Sequence, residues 1–564
     1  MAAVGAMQWV LVAMLTSAPE PRVVSALEKV RPGVSVKGEK EARLSLARGE
    51  CEAAQVVLPP GTSRVQVKPL ALRGPGKPLT ASVWREAFLD VKTPSNSQGA
   101  SGAWPDPLVP VEAPGTPGAP SILYVELCAP EAQAPGTYQG ALRVEAEGKP
   151  LAPVPFTAEV QPFVLPATAS LPTSFGISLY SIARGHGLKP ESPEARALLH
   201  AYARELLAHR LSAHGMSMDA PPVRFEDGKA VVDFRAYDAE VAPFLDGTAL
   251  PSGARFTTSE VRDSRAARTD AEKTAYYRAF AEHYRKKGWR AQLFFYAKDE
   301  PKPEDVPLVR SQALRVRAAD KGVPVLVTAP LDDALRGSAD ILTPTLNCFF
   351  TRPGPQTCRN VVPLPGLRGK LAPHVKVWWY QSCNSHGCSG GPAEDAAVET
   401  AYSGWASYMV DHPAPLNRAM GPLAFVAGVD GELYFDTVYA YATKDPWTDI
   451  FEFGGNGDGT LFYPGTPSRL GSTEHRPVVS LRLKHIRDGL EDYEYLRLLD
   501  ALGEKAFARE AARQLARSGY EVETDTRRWE QVRREMTTRL KKRWEASEYA
   551  KRSGVHSKQI GAPK

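Results

Sequence analysis

Two adjacent carboxylates, Asp299 and Glu300, follow an apolar and aromatic run in the stretch 294–301, Phe-Phe-Tyr-Ala-Lys-Asp-Glu-Pro. The run predicts a buried strand, and Pro301 predicts that the strand ends there with Glu300 extended. Neighbouring like charges resist ionising together, so such a pair either binds partners or takes part in proton transfer. Taken alone, the pair also fits an exposed turn into the next helix, where acidic residues are common.

The elements around this stretch alternate between helix and strand patterns. A helix with a capping box at Thr269 and Glu272 ends at Gly288, directly before the strand that leads to Asp299. Over residues 170–483 the alternation predicts a (β/α)8 barrel, whose catalytic groups lie at the carboxyl ends of the strands. The apolar runs interpreted as its other strands are 173–179, 211–216, 323–327, 341–342, 375–380, 422–426 and 431–435.

Other parts of the 564-residue chain, which is long enough for several domains, have different patterns. Short strand-like runs between glycine and proline turns predict an all-β sandwich over residues 25–165. Residues 484–548 have apolar positions at helical spacing and predict a C-terminal helical segment, and 549–564 is expected to be a disordered tail.

Aromatic and acidic residues also follow two later predicted strands. Trp378 and Tyr380 close the run 375–380, Tyr434 and Asp436 lie at the end of the run that begins at 431, and Asp458 lies in the turn Asn-Gly-Asp-Gly at 456–459. Aromatic rings stack on the C–H faces of sugars and carboxylates supply acid–base catalysis, so the set predicts a carbohydrate site. Barrel packing is the alternative for the pair Trp378-Trp379, and an incomplete calcium loop is the alternative for the turn.

The adjacency of the two acids restricts the chemistry. Ordinary two-carboxylate hydrolysis separates the acids by ~5–5.5 Å for retention or ~6.5–9.5 Å for inversion, usually on different strands. Successive strand residues point to opposite sides, so neighbours can serve one bond only where the strand is ending. Adjacent acids suit substrate assistance, in which a 2-acetamido group of the sugar is the nucleophile. This remains one option among several on the residues alone.

An ordered set of motifs spans most of the chain and resembles glycoside hydrolase family 123. This resemblance implies a β-N-acetylgalactosaminidase-type activity that retains configuration through an oxazoline intermediate. It implies that Asp299 orients the acetamido group and that Glu300 is the general acid/base. Phe435 stands where the family often has tryptophan, which leaves the identity of the sugar open. The motifs are RGECEAAQVV at 48–57, YAKDEP at 296–301, VWWY at 377–380, GELYF at 431–435, NGDG at 456–459 with YPG at 463–465, and RDGLEDYEY at 487–495, the last expected to be structural.

Composition and the N-terminus set the expected compartment. The net charge of +5 is small for this length and argues against a nucleic-acid partner. Residues 1–18 carry the apolar run 9–15 followed by Thr-Ser-Ala, a pattern that predicts a signal peptide and a periplasmic or secreted protein. No other segment approaches the ~20 apolar residues needed to cross a bilayer, so no integral membrane segment is expected.

Six cysteines form an even set, which predicts disulfides in an oxidising compartment. The alternative is a metal site at Cys383, His386 and Cys388, but this spacing matches no standard zinc pattern, so neither a metal nor a cofactor is predicted. The predicted local pairs are Cys383–Cys388 and Cys348–Cys358; Cys51 and Cys128 are the candidates for a third pair within the N-terminal domain, and the sequence leaves the connectivity open.

The prediction is therefore an exported glycoside hydrolase acting on β-linked N-acetylhexosamine in a glycan or glycoconjugate. The alternatives are a non-catalytic carbohydrate-binding or surface protein with the same fold, and a glycosidase for a different sugar. The assignment requires that the side chains of Asp299 and Glu300 reach one cleft, near Tyr380 or Tyr434. Linkage, endo or exo action and oligomeric state are left open by the sequence.

Overall fold

A computed structural model describes residues 20–116, 118–216, 219–289, 292–330, 333–355, 358, 361–362 and 364–552. The predicted signal peptide at 1–18 and residues 553–564 of the predicted tail lie outside the described residues. The last helix runs to Arg552, so the first four residues of that predicted tail are helical.

The N-terminal part of the chain is all β and consists of three sheets. Alternation of buried and exposed positions explains the strands: in Val154–Val164, the side chains of Val154, Phe156, Ala158 and Val160 are buried while Glu159 is exposed. Strands of the larger sheets share one apolar core. The first sheet contains Arg22–Ser25, Glu50–Val57, Ile122–Ala129, Leu79–Val91, Ala71–Leu72 and Gly102–Val109; the second Ala42–Arg48, Val154–Val164 and Gly136–Leu142; the third Lys149–Pro150, Val144–Ala146 and Val65–Val67.

Eight parallel strands form a nearly closed barrel after this β region. Their order around the sheet is β2-β1-β8-β7-β6-β5-β4-β3. Where β2 and β3 face each other without a strand ladder, the Thr257 N–H donates to Ser212 Oγ over 2.7 Å and bridges the seam. The barrel strands, numbered by themselves, are β1 Thr173–Gly176, β2 Ala213–His214, β3 Ser259–Glu260, β4 Leu293–Asp299, β5 Val325–Thr328, β6 Ile341–Leu342, β7 Lys376–Tyr380 and β8 Gly431–Tyr434.

Helices surround the barrel and continue to the C-terminus. The capping box of Thr269 and Glu272 is present, and Gly288 ends its helix with a φ of 78°. The helices are α1 Leu179–His186, α2 Pro193–Ala208, α3 Arg235–Leu245, α4 Asp270–Lys287, α5 Val306–Ala319, α6 Leu364–Arg368, α7 Cys383–His386, α8 Ala396–Tyr402, α9 Ala414–Arg418, α10 Met420–Ala427, α11 Pro467–Leu470, α12 Leu481–Ala501, α13 Lys505–Leu515 and α14 Thr526–Arg552.

The predicted strand at 422–426 is wrong, because these residues belong to the helix α10. Short apolar runs do not separate a buried strand from a buried helix. Here the run is apolar because α10 is pressed against α12: a Cβ on Gly421 would lie 1.8 Å from the carbonyl oxygen of Gly489. The close approach of two glycines lets the helix backbones touch.

Helix α12 carries the motif 487–495 and joins the barrel to the β region through buried charges. Arg487 pairs with Glu126, Lys484 Nζ lies 3.0 Å from the same carboxylate, and Arg482 lies 2.8 Å from Asp106. Burial acts to raise the pKa of Glu126, but Arg487 and Lys484 lower it to about 2. Of these side chains Arg487 belongs to the motif, and its buried pairing with Glu126 agrees with the structural role expected of the motif.

Candidate active site

A β-bulge in β4 turns Asp299 toward the mouth of the barrel. Tyr296 pairs with Leu326 of β5, but the next pairs are Lys298 with Val327 and Asp299 with Thr328, so Ala297 is an extra residue in the ladder. Tyr296 and Leu326 face the barrel interior. The bulge therefore places Asp299 on the interior face, whereas strict alternation from Tyr296 would point it outward.

The backbone of Glu300 makes a second change of direction. Its φ is +40°, in the left-handed region, so the prediction of an extended Glu300 is wrong. Non-glycine residues adopt this region at a cost of order 1–3 kcal/mol, and such residues cluster at functional sites. The Glu300 N–H donates to Thr328 Oγ1 over 2.9 Å, which holds this conformation.

The two acids share a cleft but have different partners. Asp299 Oδ1 accepts hydrogen bonds of 2.8 Å from the hydroxyls of both Tyr296 and Thr328. Glu300 Oε1 accepts a short hydrogen bond from the Tyr380 hydroxyl, which reaches it from the end of β7. Both acidic residues are exposed. The structure thus brings Asp299, Glu300 and Tyr380 together, as the sequence hypothesis required.

Both tyrosines are held in their neutral, hydrogen-bond-donating form by their surroundings. Burial raises the pKa of Tyr296 well above its usual value, and the negative charge of Asp299 adds to this shift. Burial also raises the pKa of Tyr380, together with its hydrogen bond to Glu300. A neutral phenol donates to a carboxylate, so each acid has a fixed donor.

The two adjacent tryptophans point to opposite faces of β7. Trp378 is 3% exposed inside the barrel, two residues below Tyr380, where its ring lies 6.3 Å from that of Phe294. Trp379 faces outward and packs against Phe349. Trp378 therefore forms the packed floor under the cleft.

Tyr434 and Asp458, two predicted sugar-binding residues, lie behind the cleft wall. Asp458 is 1% exposed. It accepts hydrogen bonds from the Cys383 N–H at 2.6 Å, the Ser382 hydroxyl at 3.2 Å and the Tyr434 hydroxyl at 3.0 Å. Burial raises the pKa of Asp458 to about 6, against these donors. The two side chains connect β8 to the loop that carries α7.

Asp436 is half-buried and follows β8 by two residues. One of its oxygens accepts from the backbone N–H groups of Thr437 and Val438, at 2.7 and 2.8 Å. Burial raises the pKa of Asp436 to about 7, although these donors oppose the shift. Of the acids predicted near β8, Asp436 is the one whose side chain is not fully buried.

The seam between β2 and β3 contains polar residues that the sequence reasoning missed. His214, Glu260 and Arg262 line a small cavity there. Burial raises the pKa of Glu260 and lowers that of His214 to about 4, and the charge of Asp299 also acts on His214. A two-residue strand such as β3 has no pattern that could have revealed these residues. Thr328, by contrast, ends an apolar run, and the strand-end rule could have found it.

The three predicted disulfides are all present. Cys383 and Cys388 are bonded to each other, which removes the sulfurs proposed as metal ligands in the alternative interpretation. Their loop packs against the hairpin of Phe451–Glu452 and Gly455–Asn456, where Gly455 lies directly over Cys388. This disulfide therefore supports the wall next to β8.

The chain is thus a protein of the (β/α)8-barrel class, with two neighbouring carboxylates at the barrel mouth and an N-terminal β region. No protein-family model matches the sequence, and no curated protein matches it. Among solved structures, a family 123 glycoside hydrolase from Clostridium perfringens has a TM-score of 0.61 at 13% identity, over 94% of this chain and 98% of its own. The chain therefore has the fold of a family 123 glycoside hydrolase, as its motifs predicted.

Two further solved structures match less well. A family 39 glycoside hydrolase from Bacteroides cellulosilyticus has a TM-score of 0.34 at 11% identity, over 80% of this chain and 82% of its own. A GH5 xyloglucanase from Bacteroides ovatus has a TM-score of 0.27 at 11% identity, over 80% of this chain and 99% of its own.

Proposed function

We propose that the protein is a glycoside hydrolase that releases β-linked N-acetylhexosamine of the N-acetylgalactosamine type, with substrate assistance and retention. The observation that carries this proposal is the different environment of the two adjacent acids. Asp299 is held by Tyr296 of its own strand and by Thr328 of β5, while Glu300 is held by Tyr380 at the end of β7. Two differently held carboxylates on one cleft suit two different roles on one substrate.

In the first step, the acetamido oxygen of the sugar attacks the anomeric carbon while the bond to the leaving oxygen breaks. Asp299 accepts the acetamido N–H and stabilises the charge that develops on that group. Glu300 gives its proton to the leaving oxygen. Tyr296, Thr328 and Tyr380 keep the two carboxylates in position as the charge moves.

In the second step, Glu300 is a carboxylate and accepts a proton from water, whose oxygen attacks the anomeric carbon and opens the oxazoline. The two inversions give net retention, and both side chains return to their starting protonation states. Because the nucleophile belongs to the substrate, the second carboxylate need not stand on another strand.

The remaining assignments are part of the same proposal. Residues 25–165 are proposed to form a β-sandwich domain, 170–483 the catalytic barrel and 484–548 a helical segment. Export through residues 1–18 is supported by the three disulfides. None of the helices in the described part of the chain is long and apolar enough to cross a membrane.

The test compares Glu300→Gln and Asp299→Asn with wild type on an aryl β-N-acetylgalactosaminide. Glu300→Gln is expected to lower kcat by about 10²- to 10⁴-fold while binding of the sugar survives. Glu304→Gln, which changes an exposed acid on the following turn, is the matched control and is expected to leave kcat unchanged.

Two results would contradict the proposal. If wild type hydrolyses none of a broad panel of β-linked N-acetylhexosaminides, the proposed activity is wrong. If the rate is unchanged on a substrate whose acetamido group is replaced by hydroxyl, substrate assistance is wrong and a glycosidase for another sugar is favoured.

A further inference from the structure

Two exposed aromatic side chains lie together at the rim of the barrel mouth, beyond β8. Tyr439 is 36% and Phe453 38% exposed, and their ring centroids are 5.0 Å apart. Phe435, half-buried directly after β8, packs edge-on under both rings, at 5.8 Å from Tyr439 and 5.5 Å from Phe453. Single exposed hydrophobic residues are ordinary, but an adjoining pair supported from below forms a prepared surface.

Phe453 has a backbone conformation that is energetically unfavourable for a large side chain. It forms the turn of the hairpin with Gly454, and the φ angles of the two residues are +50° and +83°. Turns of this kind favour asparagine or glycine first, since a large side chain is disfavoured at positive φ. Such a conformation persists where the surroundings impose it, and it points to a function of the displayed side chain.

The hairpin is held firmly enough to impose this conformation. Lys444 Nζ lies 3.1 Å from Glu452 and 3.4 Å from Asp449, both of which precede the turn in the chain. The Gly390 N–H donates to the Gly454 carbonyl over 3.2 Å, beside the Cys383–Cys388 disulfide. The aromatic pair therefore stands on a rigid base.

The aromatic pair follows β8, which is next to the strand that carries the partner of Glu300. Glu300, the proposed acid, contacts Tyr380 on β7, and β8 is the next strand along the barrel. Asp299 faces the opposite way, toward Thr328 of β5. In the proposed mechanism the leaving group receives its proton from Glu300 and so lies on the side of β7, and the strand next to β7 is β8, which Phe435 and the aromatic pair follow.

We propose that Tyr439 and Phe453 form an aglycone subsite that stacks on the apolar face of a sugar in the leaving group. The inference rests on the proposed function and extends it: the substrate is a glycan whose terminal N-acetylhexosamine is attached to a further sugar. Aromatic rings bind pyranose C–H faces by the same apolar contact and ring polarity that govern aromatic packing.

The experiment measures kcat/KM for two substrates, a disaccharide with terminal β-N-acetylgalactosamine and the methyl β-N-acetylgalactosaminide. The readout is the ratio of the two values. Tyr439→Ala/Phe453→Ala is expected to lower the ratio about tenfold, whereas Phe453→Tyr, which keeps the ring, is expected to preserve it. Leu314→Ala is the matched control, because it removes a 68% exposed apolar side chain from α5 on the outside of the barrel.

A binding measurement separates the subsite from the proposed function. The Glu300→Gln protein, with and without the ring substitutions, is titrated with the same disaccharide. Hydrolysis by wild type with an unchanged ratio in the double variant overturns the subsite and leaves the function standing. Ring-dependent binding without hydrolysis by wild type overturns the function and leaves the subsite. Absence of both binding and hydrolysis overturns both. A thermal melt of each variant checks that it is folded.

Discussion

Replacing Thr328 with valine removes one hydroxyl and keeps the branched shape of the side chain. That hydroxyl donates to Asp299 Oδ1 over 2.8 Å and accepts the Glu300 N–H over 2.9 Å. The substitution therefore loosens both proposed catalytic residues without touching either carboxylate. The structure predicts a defect in kcat rather than in KM, because the hydroxyl lies behind Asp299 and orients it.

The expected magnitude follows from the hydrogen bond to Asp299. A hydrogen bond to a charged group contributes about 1.5–3 kcal/mol, and Asp299 is exposed, so we take the lower end of that range. Since 1.36 kcal/mol corresponds to a tenfold change in rate, kcat is expected to fall by about tenfold or more. Thr328→Ser keeps the hydroxyl and is expected to stay within about threefold of wild type, an allowance for its greater side-chain freedom.

The assay is a double-mutant cycle with Asp299→Asn on an aryl β-N-acetylgalactosaminide. If Thr328 acts through Asp299, adding Thr328→Val to the Asp299→Asn protein changes kcat little further. Effects that simply multiply would refute the assigned action through Asp299, because the threonine would then act through another hydrogen bond, such as that with the Glu300 N–H. A Thr328→Ser variant as slow as Thr328→Val would refute it as well.

Three further outcomes follow from other parts of the structure. Phe453→Gly is expected to be about 1 kcal/mol more stable than Phe453→Ala in urea unfolding, because both variants lose the ring and only glycine adopts the positive φ without strain. Equal stabilities of the two variants would contradict a positive φ at residue 453. Burial raises the pKa of Glu86 from 4.5 to about 8, and neither of its oxygens has a hydrogen-bond partner among the described residues. Because this folded-state pKa exceeds the unfolded one, wild type should lose up to about 1.4 kcal/mol per pH unit between pH 4.5 and 8, a loss that Glu86→Gln removes; parallel stability–pH curves would contradict this. Arg482→Met leaves the buried Asp106 without its ion-pair partner, so about 3–5 kcal/mol of stability should be lost in thermal or urea unfolding. An unchanged Tm would be inconsistent with the pair.

The parts of the fold that could be predicted are those whose signals are local. The capping box at Thr269, the left-handed Gly288 and the apolar run of β4 each specify an element within a few residues. Helix α10 was mistaken for a strand because its apolar run is explained by a distant contact with Gly489. Strand β3 was missed because two residues, held by neighbouring strands, carry no period.

The candidate site shows the same division. Residue types and order select Asp299 and Glu300 as candidates, but strict alternation along β4 argues against their sharing a cleft. The bulge at Ala297 and the positive φ of Glu300 resolve that conflict, and both depend on pairing with β5 and Thr328. The polar turn around Asp458 predicts a sugar-binding side chain. Asp458 is instead buried by contacts with Cys383 and Tyr434, which are far apart in the chain.

The buried charges of α12 have a consequence for how this chain can be divided. Asp106 of the β region pairs with Arg482 and Glu126 pairs with Arg487, and all four side chains are at most 5% exposed. Separating the β region from the barrel would leave the charged side chains of both parts without their ion-pair partners. Heating should therefore melt the two parts in a single calorimetric transition, because the β region and the barrel form one folded unit rather than separable domains.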